Sequence, residues 1–365
     1  MKLPSIFHSR KRKLAKAERE RQQIEEGQRQ IVEAMVELLN DKSQPNINAL
    51  NVLTRNIDLM ALNIKAMGYD LARSMAAALP VRTETSAHYV GLGCKPSTQA
   101  DIESDWLAHW CAELKVPVLY HRKLWELAYV LQAVYENGYM QAGKRGLGFG
   151  CGSEPFASYF ASHGIKTTIT DLPARDSRAL EWSNTRQHAA EREAGYHPAL
   201  VDRTAFDQLV EFRAVDMNLI PPDLRDYDFC WSMCAFEHLG SIQQGLDFVR
   251  NSLQTLRPGG IAVHTTEFNI NSSGPTIDNW PSVLFQRGHF EKLAEQLRLD
   301  GHSVAPFDFD TGEKPLDRFI DLPPWHDGTY EAISVGLGQP HHLKVGMDGF
   351  VSTCFGLIIT KAAEA

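Results

Sequence analysis

The sequence predicts an α/β protein in which an α-helical region precedes a mostly parallel sheet with helices on both faces. Three observations predict this fold class. The chain has 365 residues, enough for two domains or for one large α/β domain with additions. Residues 1–140 show helical patterns. From Lys144 onward, short apolar runs alternate with helical stretches, as they do in βα units.

The composition is that of a soluble globular protein. Apolar residues make up 43% and charged residues 22%, which excludes a wholly disordered, collagen-like or coiled-coil chain. We expect no signal peptide, and the longest apolar run, near Phe350–Ile359, falls short of the ~20 residues that span a bilayer. The six cysteines show no CxxC spacing, so we expect free thiols in a reducing, cytoplasmic setting.

The net charge of −8 is unevenly distributed. Residues 1–21, which we term the basic head, contain eight Lys or Arg and two Glu. This segment carries +6 and leaves −14 on the other residues. The acidic body argues against a protein built mainly to coat nucleic acid. The basic head would suit contact with an anionic membrane face or with partner enzymes.

Residues 8–40 are predicted to form one helix. Ile24, Ile31 and Leu38 lie seven residues apart, which indicates a short, weak coiled-coil pattern. Three interpretations remain open: a solvated helix on the body, a helix that pairs two copies into a homo-oligomer, and a basic helix on a membrane surface. We assign residues 1–45 to this basic helical segment.

Residues 46–140 are predicted to form an α-helical region that caps the α/β domain after it. The stretch 47–79 has a broad apolar face, and Pro80 ends it. A second helical stretch covers 100–140, with a helix-ending signal at Gly138.

Beyond residue 144, seven segments read as strands and four as helices. The strand candidates are Gly146–Phe149, Thr167–Thr170, Phe212–Val215, Asp228–Ser232, Ile261–Thr266, His302–Ala305 and Ser352–Thr360. The helix candidates are Pro155–His163, Arg178–Glu193, Ile242–Leu256 and Gly288–Leu299.

A glycine-rich turn, GLGFGCGSEP at Gly146–Pro155, is the strongest chemical signal. Glycines let the backbone approach a ligand closely, and a following helix N-terminus favours negative charge. The turn has neither the Lys-Ser/Thr of a phosphate loop nor a complete GxGxxG pattern. Asp171 follows the next strand, where a carboxylate can accept hydrogen bonds from ribose hydroxyls. Asp216 and Met217 follow the third strand and could contact an adenine ring.

Two further motifs complete a pattern that is specific only as a whole. FEHL, at Phe236–Leu239, follows the fourth strand, and LRPGG, at Leu256–Gly260, precedes the fifth. With the glycine-rich turn, these motifs make residues ~144–300 resemble a class I S-adenosylmethionine-dependent methyltransferase. The resemblance implies a Rossmann-like, seven-stranded sheet whose last strand is antiparallel. It places the methyltransferase domain at 141–365, with a substrate insert at about 306–349.

The resemblance also implies S-adenosyl-L-methionine as cofactor, with Asp171 on the ribose and Asp216 and Met217 on the adenine. The family often has an acid where this chain has Gly148 and a glycine where it has Glu154. We therefore expect Glu154 or a backbone carbonyl to hold the cofactor's ammonium group. The residues expected around the cofactor are Gly148, Phe149, Gly150, Gly152, Ser153, Glu154, Asp171, Leu172, Asp216, Met217 and Ser232.

Methyl transfer from a sulfonium needs in-line placement and a dry pocket, and an alcohol acceptor also needs a base. We favour His238 as that base, because the pKa of histidine lies near neutrality. Structural alternatives remain open: His264 as a core residue, His289 as a helix start, and Glu237 with His238 as a brace for the cofactor pocket. The catalytic candidates are Glu237, His238, His264, Glu267 and His289.

The insert Pro306–Gly349 is long for a connection between two strands, so it could form a substrate loop or an ordered surface hairpin. We predict no metal, although some sugar methyltransferases use one. The irregular spacing of the potential ligands in this region argues against a site. Those residues are Asp317, Asp321, His326, Asp327, His341 and His342.

The preferred acceptor is a sugar or another small-molecule or glycan hydroxyl. The order of the parts resembles methyltransferases that act on sugars in bacterial surface-polysaccharide pathways. Because the body is acidic, we expect no DNA partner, and RNA is disfavoured. Two alternatives are an RNA or protein methyltransferase recruited through the basic head, and a non-catalytic scaffold that retains the fold. We expect a cytoplasmic protein, or one bound peripherally at the inner membrane face.

Overall fold

The fold was analysed in a computed structural model, which describes residues 26–27, 29, 47–80, 82, 85–173, 176, 188–189, 191–271, 273–323 and 331–363. The basic head, nearly all of the predicted helix over 8–40 and most of the predicted helix Arg178–Glu193 lie outside these residues, as do His326 and Asp327. The chain divides into two compact units, Met1–Asn63 and Ile64–Ala365. The first described helix, α1, begins in the first unit and covers Ile47–Ala77.

The predicted helical stretch over 100–140 is three helices rather than one. Each begins at a side chain that accepts a backbone N–H of the first turn: Thr98, Ser104 and His121. Such acceptors satisfy N–H groups that the helix itself leaves unpaired. The sequence pattern shows the apolar face but not these breaks. The helices are α2 (Gln99–Ile102), α3 (Asp105–Glu113) and α4 (Arg122–Glu136).

The sheet has ten strands in the described residues, so the predicted count of seven is wrong. All seven predicted strands are present, and β1, β8 and β9 are additional. The additional strands have two to four residues, too few to produce a detectable alternation. The strands are β1 (Lys95–Pro96), β2 (Arg145–Phe149), β3 (Lys166–Asp171), β4 (Val210–Ala214), β5 (Tyr227–Met233), β6 (Leu256–Asn269), β7 (Ser303–Val304), β8 (Ile320–Asp321), β9 (Lys344–Met347) and β10 (Phe350–Thr360).

The strand order is β4-β3-β2-β5-β6-β10-β9-β8, with β1 and β7 also paired to β10. The five strands from β4 to β6 in this order are parallel to their neighbours. The last strand, β10, runs antiparallel to β6, β7 and β9, as predicted. Because β2, β3, β4, β5 and β6 are parallel, their carboxyl ends meet at one edge of the sheet, where open α/β sheets bind ligands.

Helices cover both faces of the sheet. Along β5, Phe229 and Trp231 join one hydrophobic cluster and Cys230 joins another, because successive side chains of a strand point to opposite faces. The first cluster includes α4, and the second includes α7 and α8. The remaining helices are α5 (Phe156–Ser162), α6 (Arg203–Leu209), α7 (Ile242–Ser252), α8 (Arg287–Leu299), α9 (Pro315–Arg318) and α10 (Glu331–Gly336), with 3₁₀ turns at Arg192–Gly195, Phe236–His238 and Leu253–Thr255.

Helix α4 lies on β5, β6 and β10. The ring of Tyr129 packs on Gly356 of β10, where a Cβ would collide with it. This packing contact places the first turn of α4 above the carboxyl end of β6. There the Thr265 hydroxyl of β6 donates a hydrogen bond to Glu126 of α4. In the described part of the chain, no helix combines the length and apolar character needed to cross a bilayer.

Candidate functional site

The glycine-rich turn follows β2 and leads into α5, as predicted. Gly150 has φ +60° and Gly152 has φ +51°, values that favour glycine. A Cβ on Gly150 would lie 2.8 Å from the Cβ of Ala235 and 3.3 Å from the sulfur of Met217. The turn therefore meets the segments that follow β4 and β5, with no room for a side chain between them.

Other residues of this turn contribute in different ways. The side chain of Phe149 is fully buried against Phe248, with ring centroids 5.2 Å apart, so only its backbone faces the turn. A Cβ on Gly148 would collide with Cys151 and Trp231, which explains the glycine by packing alone. Ser153 is exposed.

Asp171 ends β3 and connects three backbone segments. Its carboxylate accepts N–H bonds from Gly152 at 3.1 Å, Leu172 at 2.7 Å and Ala189 at 2.9 Å. Burial raises the pKa of this carboxyl above its ordinary value, although the N–H donors act in the opposite direction. Asp171 thus ties the glycine-rich turn to β3, and its contact with a ribose remains a prediction.

Asp216 and Met217 lie just beyond β4. A carboxylate oxygen of Asp216 accepts the N–H of Asn218 at 2.9 Å, and Met217 is buried with its sulfur near Gly150. Met217 and Asn218 also line a groove of about 600 Å³, several of whose other lining residues belong to α7. Their predicted contact with an adenine ring is compatible with this position and remains a prediction.

Glu154 lies at the end of the turn, and its carboxylate accepts the indole N–H of Trp231 at 3.1 Å. Burial raises the pKa of Glu154 well above its ordinary value, and the nearby carboxylate of Glu126 adds to this, whereas Lys123 opposes it. A cationic ligand group beside Glu154 would offset the cost of burying its charge. Glu154 therefore fits its predicted contact with an ammonium group.

Two of the predicted site residues lie inside the protein. His264 is fully buried, with its ring nitrogens 2.8 Å from the Ser232 hydroxyl and 3.0 Å from the Ser252 hydroxyl. Burial lowers the pKa of His264 to about 3. His264 is thus a hydrogen-bonded core residue, and the structure does not support it as the base. Ser232 is equally buried, so its side chain is not available to the cofactor.

His289 has a structural role at the start of α8. Its Nδ1 accepts the N–H of Gln286 at 3.0 Å, and burial lowers its pKa below the ordinary value. The cap explains a histidine at this position without a catalytic role. The sequence interpretation of His289 as an ordinary helix start therefore fits the structure better than its candidacy as a base.

Glu237, His238 and Glu267 lie at the carboxyl ends of β5 and β6. They belong to a set of polar side chains that we term the strand-end cluster, most of it buried. Six of its members were not singled out from the sequence, and three of these come from the first turns of α4. The cluster comprises Arg122, Lys123, Glu126, Cys234, Glu237, His238, Glu267, Ser352 and Cys354.

Glu267 is the best-coordinated carboxylate of the cluster. It accepts a guanidinium N–H of Arg122 through one oxygen and the Ser352 hydroxyl, at 2.6 Å, through the other. Burial alone would raise the pKa of Glu267, but Arg122 and Lys123 outweigh this and leave it below its ordinary value. Glu267 is therefore charged and held in place, which suits a structural anchor better than a base.

The thiols of the cluster connect its charged groups. Cys354 donates to Glu126 at 2.8 Å and accepts from Arg122 at 3.3 Å. The sulfurs of Cys234 and Cys354 lie 3.7 Å apart, and the ammonium of Lys123 lies 3.3 Å from Glu126. Burial raises the pKa of both thiols above the ordinary value, so they are neutral near pH 7.

Glu237 differs from the other carboxylates of the cluster because one of its oxygens makes no hydrogen bond. The Thr266 hydroxyl donates to Oε2 at 3.0 Å, but the buried Oε1 has no hydrogen-bond partner among the residues that the structure describes. A buried oxygen without a partner is uncommon and needs an explanation. Burial raises the pKa of Glu237, with Glu267 adding to this effect and His238 opposing it.

His238 lies beside this oxygen. Its Nε2 is 3.8 Å from Oε1 of Glu237, and its Nδ1 is 2.9 Å from the carbonyl oxygen of Pro281. Because a carbonyl only accepts hydrogen bonds, Nδ1 carries a proton there, and Nε2 is the nitrogen on the side of Glu237. Glu237 and His238 thus lie side by side, and the role of His238 as the base remains a prediction.

Metal-ligating atoms are also close together here. Among the described residues, potential ligand atoms of Glu126, Cys234 and Cys354, and of Cys234, Glu237 and Glu267, lie within 4.8 Å of one another. Arg122 and Lys123 already supply positive charge at these donors, and the thiols are protonated. The expectation that the chain binds no metal remains a prediction.

A family model gives the class of domain. Residues 126–300 match a family model described as a methyltransferase domain. No curated protein matches the sequence.

Similar solved structures include an S-adenosylmethionine-dependent methyltransferase from Mesorhizobium loti, at 15% identity and a TM-score of 0.35, with 63% of this chain and 96% of that chain covered. The [4+2]-cyclase SpnF has 17% identity and a TM-score of 0.39, with 75% and 100% covered. Phosphoethanolamine N-methyltransferase 2 from Haemonchus contortus, in complex with S-adenosyl-L-methionine, has 15% identity and a TM-score of 0.37, with 64% and 52% covered. These similarities carry no conclusion about an acceptor.

Proposed function

We propose that this chain, which is an S-adenosylmethionine-dependent methyltransferase with S-adenosyl-L-methionine as its cofactor, methylates a hydroxyl group of a sugar or of another small molecule or glycan. The single observation that carries the proposal is the buried, unpartnered oxygen of Glu237 beside Nε2 of His238, among the residues that the structure describes. A hydroxyl acceptor would donate its hydrogen bond to this oxygen and would thereby satisfy it.

The residues around the glycine-rich turn fit the cofactor. A Cβ on Gly150 would crowd Ala235 and Met217, so glycine lets the turn pass close to the ends of β4 and β5, and Glu154 is a half-buried carboxylate that a cationic group would stabilise. When bound, the cofactor supplies a methyl group on a positively charged sulfur. The ammonium of Lys123 lies 3.3 Å from Glu126, and its charge lowers the pKa of both Glu154 and Glu237. We infer that the acceptor hydroxyl lies between Glu237 and the glycine-rich turn.

In the proposed reaction the chain orients the acceptor and removes one proton. With the cofactor bound, the acceptor oxygen would form a bond to the methyl carbon as the carbon–sulfur bond breaks, and the electron pair of that bond would stay on sulfur. The hydroxyl proton passes to Oε1 of Glu237, or to His238 beside it. A hydroxyl becomes acidic only as the new bond forms, so a carboxylate with a raised pKa is a better proton acceptor than an ordinary one.

Glu126 and Glu267, together with Arg122 and Lys123, hold the rest of the site in a fixed arrangement. Preorganised side chains do not need to reorient during the transfer, which favours the reaction.

The proposal is tested by incubating the protein with methyl-labelled S-adenosylmethionine and separate fractions of glycans, small molecules, lipids, RNA and protein. We expect label in the glycan or small-molecule fraction, in a methyl ether that survives alkaline hydrolysis. Esters would be cleaved by that treatment, so the linkage distinguishes a hydroxyl from a carboxyl acceptor. Label confined to RNA, to protein or to an amine would contradict the proposal.

The basic head supports one competing function, the methylation of RNA or protein recruited through residues 1–21. This alternative predicts RNA binding that weakens steeply with salt, because basic residues release counterions from phosphates. It also predicts that deleting residues 1–21 abolishes both that binding and methylation of RNA. The hydroxyl proposal instead predicts that the deletion leaves methyl transfer to the glycan or small-molecule acceptor within about twofold, since none of the strand-end cluster lies in the deleted segment.

A further inference from the structure

Asp321, in β8 of the insert, is the centre of a buried ionic network. It is fully buried, and its carboxylate accepts Nζ of Lys65 at 2.6 Å, the Tyr69 hydroxyl at 2.7 Å and Nδ1 of His342 at 2.6 Å. The N–H of Leu322 donates a further bond at 3.0 Å. A carboxylate offers about four acceptor positions, so Asp321 has none left for a ligand.

His342 connects this network to the first turn of α4. Its carbonyl oxygen accepts the N–H of Arg122 at 2.9 Å. Its ring lies 4.7 Å from the ring of His121, at an angle of 34°. His121 in turn caps α4, because its Nδ1 accepts the N–H of Lys123 at 3.1 Å. The first turn of α4 is therefore held by a backbone bond, a ring contact and a cap.

Stability alone does not explain such a network. Removing a lysine and an aspartate from water is unfavourable, and well-packed apolar residues often serve stability equally well. The attested benefit of a buried ion pair is that it selects one arrangement among several, because each donor must point at its acceptor. Here the arrangement it selects is the position of the turn from which Arg122 and Lys123 enter the strand-end cluster.

We propose that Asp321 and His342 are positioning residues, which hold the first turn of α4 so that Arg122 and Lys123 are placed correctly at the methyl-transfer site. The inference rests on the proposed function for its effect on rate, but not for its effect on α4. The insert then has a defined role, because its described part braces the helix that covers the acceptor side of the site.

Three variants test the network. His342→Ala removes the donor and the ring, whereas His342→Asn retains a donor at the position of Nδ1. The double variant Lys65→Met with Asp321→Asn removes both charges together, so it avoids leaving one buried charge unpaired. Arg318→Gln, at an exposed position of the same insert, is the matched control.

The first measurement is hydrogen–deuterium exchange at the amides of Arg122 and Lys123, in the full-length protein without an acceptor. We expect exchange at least about tenfold faster in His342→Ala and in the double variant, close to wild type in His342→Asn, and unchanged in Arg318→Gln. The amides of β10 serve as an internal reference for global opening. Unchanged exchange at Arg122 and Lys123 in His342→Ala would overturn the inference, whatever the acceptor is.

The second measurement is the rate of methyl transfer to the acceptor found by labelling, together with the affinity for S-adenosylhomocysteine. We expect kcat to fall about 10- to 100-fold in His342→Ala, with partial rescue in His342→Asn, because small displacements at a reacting centre cost that much. The affinity for S-adenosylhomocysteine should stay within about twofold, since the glycine-rich turn is untouched. Faster exchange with an unchanged kcat would show a purely structural network and would also overturn the inference.

Discussion

Gly150 is the residue at which three strand ends meet, because it leaves space between the turn after β2, Met217 and Ala235. Its positive φ and its crowding are separate constraints, and they can be tested separately. Gly138, at the end of α4, also has a positive φ of +76°, but a Cβ there would meet nothing within 4 Å. The two glycines thus form a matched pair that differs chiefly in crowding.

We expect Gly150→Ala to weaken the binding of S-adenosylhomocysteine by more than about tenfold, equivalent to about 1.4 kcal/mol, because the new methyl group would force the turn away from Ala235 and Met217. Gly138→Ala should leave this affinity unchanged. Each substitution should lower the free energy of unfolding by about 1–2 kcal/mol through strain at positive φ. Isothermal titration calorimetry and urea denaturation measure the two effects. Equal affinities for the two variants would show that Gly150 does not line the cofactor site.

Single residues of the site differ in how far the sequence predicts them. The glycine-rich turn, Asp171 and Met217 follow strands at fixed short spacings, so a local pattern identifies them. Arg122, Glu126 and Cys354 carry no local pattern, and their partners Glu267, Thr265 and Glu126 lie 139 to 228 positions away along the chain. These residues meet their partners because α4 packs on β6 and β10. His264 fits a strand-end pattern, but the pattern does not show that Ser232 and Ser252 enclose it.

At the scale of elements, the contact between α4 and β6 determines the shape of the acceptor side. Arg122 of α4 and Glu267 of β6 form a buried ion pair, which Ser352 of β10 completes. Replacing only one side chain of such a pair strongly lowers the free energy of unfolding, because the remaining charge stays buried without a partner. The pair therefore couples the helix to the sheet more strongly than its net contribution to stability suggests.

We expect Arg122→Met and Glu267→Gln each to lower the free energy of unfolding by about 3–5 kcal/mol, and the double variant to lose much less than the sum. Urea denaturation of the four proteins gives the coupling energy of this double-mutant cycle. Losses that simply add would mean that the two side chains do not depend on each other. Arg287→Met and Glu291→Gln, an exposed pair within α8, supply the control, with an expected coupling below about 1 kcal/mol.

The pH dependence of this stabilisation has a defined sign. The pKa of Glu267 is lower in the folded protein than its ordinary value, so the charged form is favoured by folding. Glu267 therefore adds to the free energy of unfolding at every pH above its pKa in the unfolded chain, about 4.3. This addition is lost as the pH falls from there through its lower pKa in the folded protein. The difference in unfolding free energy between wild type and Glu267→Gln should therefore shrink below about pH 4. A difference that is constant from pH 7 to pH 3 would contradict this assignment.

Sequence pattern predicts elements well where they are long. All seven predicted strands are present, including the antiparallel last one. β1, β8 and β9 were not predicted, because two to four residues rarely show an alternation, and the two-residue β7 is shorter than its predicted segment His302–Ala305. The predicted helical stretch over 100–140 breaks before the caps Ser104 and His121, and one of these caps is a histidine, which is not a usual cap residue. That same cap belongs to the network around Asp321.

At the scale of the whole molecule, the described part of the insert joins the sheet edge through β8 and β9 and braces α4 through His342. The sequence predicted its length and its position but not this bracing, which depends on contacts with Lys65 and Tyr69, more than 250 residues earlier.

The charged side chains of the site also come from distant parts of the chain. Carboxylates and cations from α4, from β6 and from the end of β5 lie together in one buried cluster. Within it, one oxygen of Glu237 has no hydrogen-bond partner among the described residues, and we assign this oxygen to the proposed hydroxyl acceptor.

The most direct test of the account is the pH dependence of methyl transfer in wild type and Glu237→Gln, with S-adenosylhomocysteine affinity measured on the same samples. The wild-type rate should rise with pH through the raised pKa of Glu237 and then level off, because the base must be deprotonated. Glu237→Gln should lose about 10²- to 10⁴-fold in kcat and lack this rise, while its S-adenosylhomocysteine affinity stays within about twofold of wild type. A Glu237→Gln rate within about twofold of wild type, with the same pH profile, would contradict the assignment of this oxygen to proton removal.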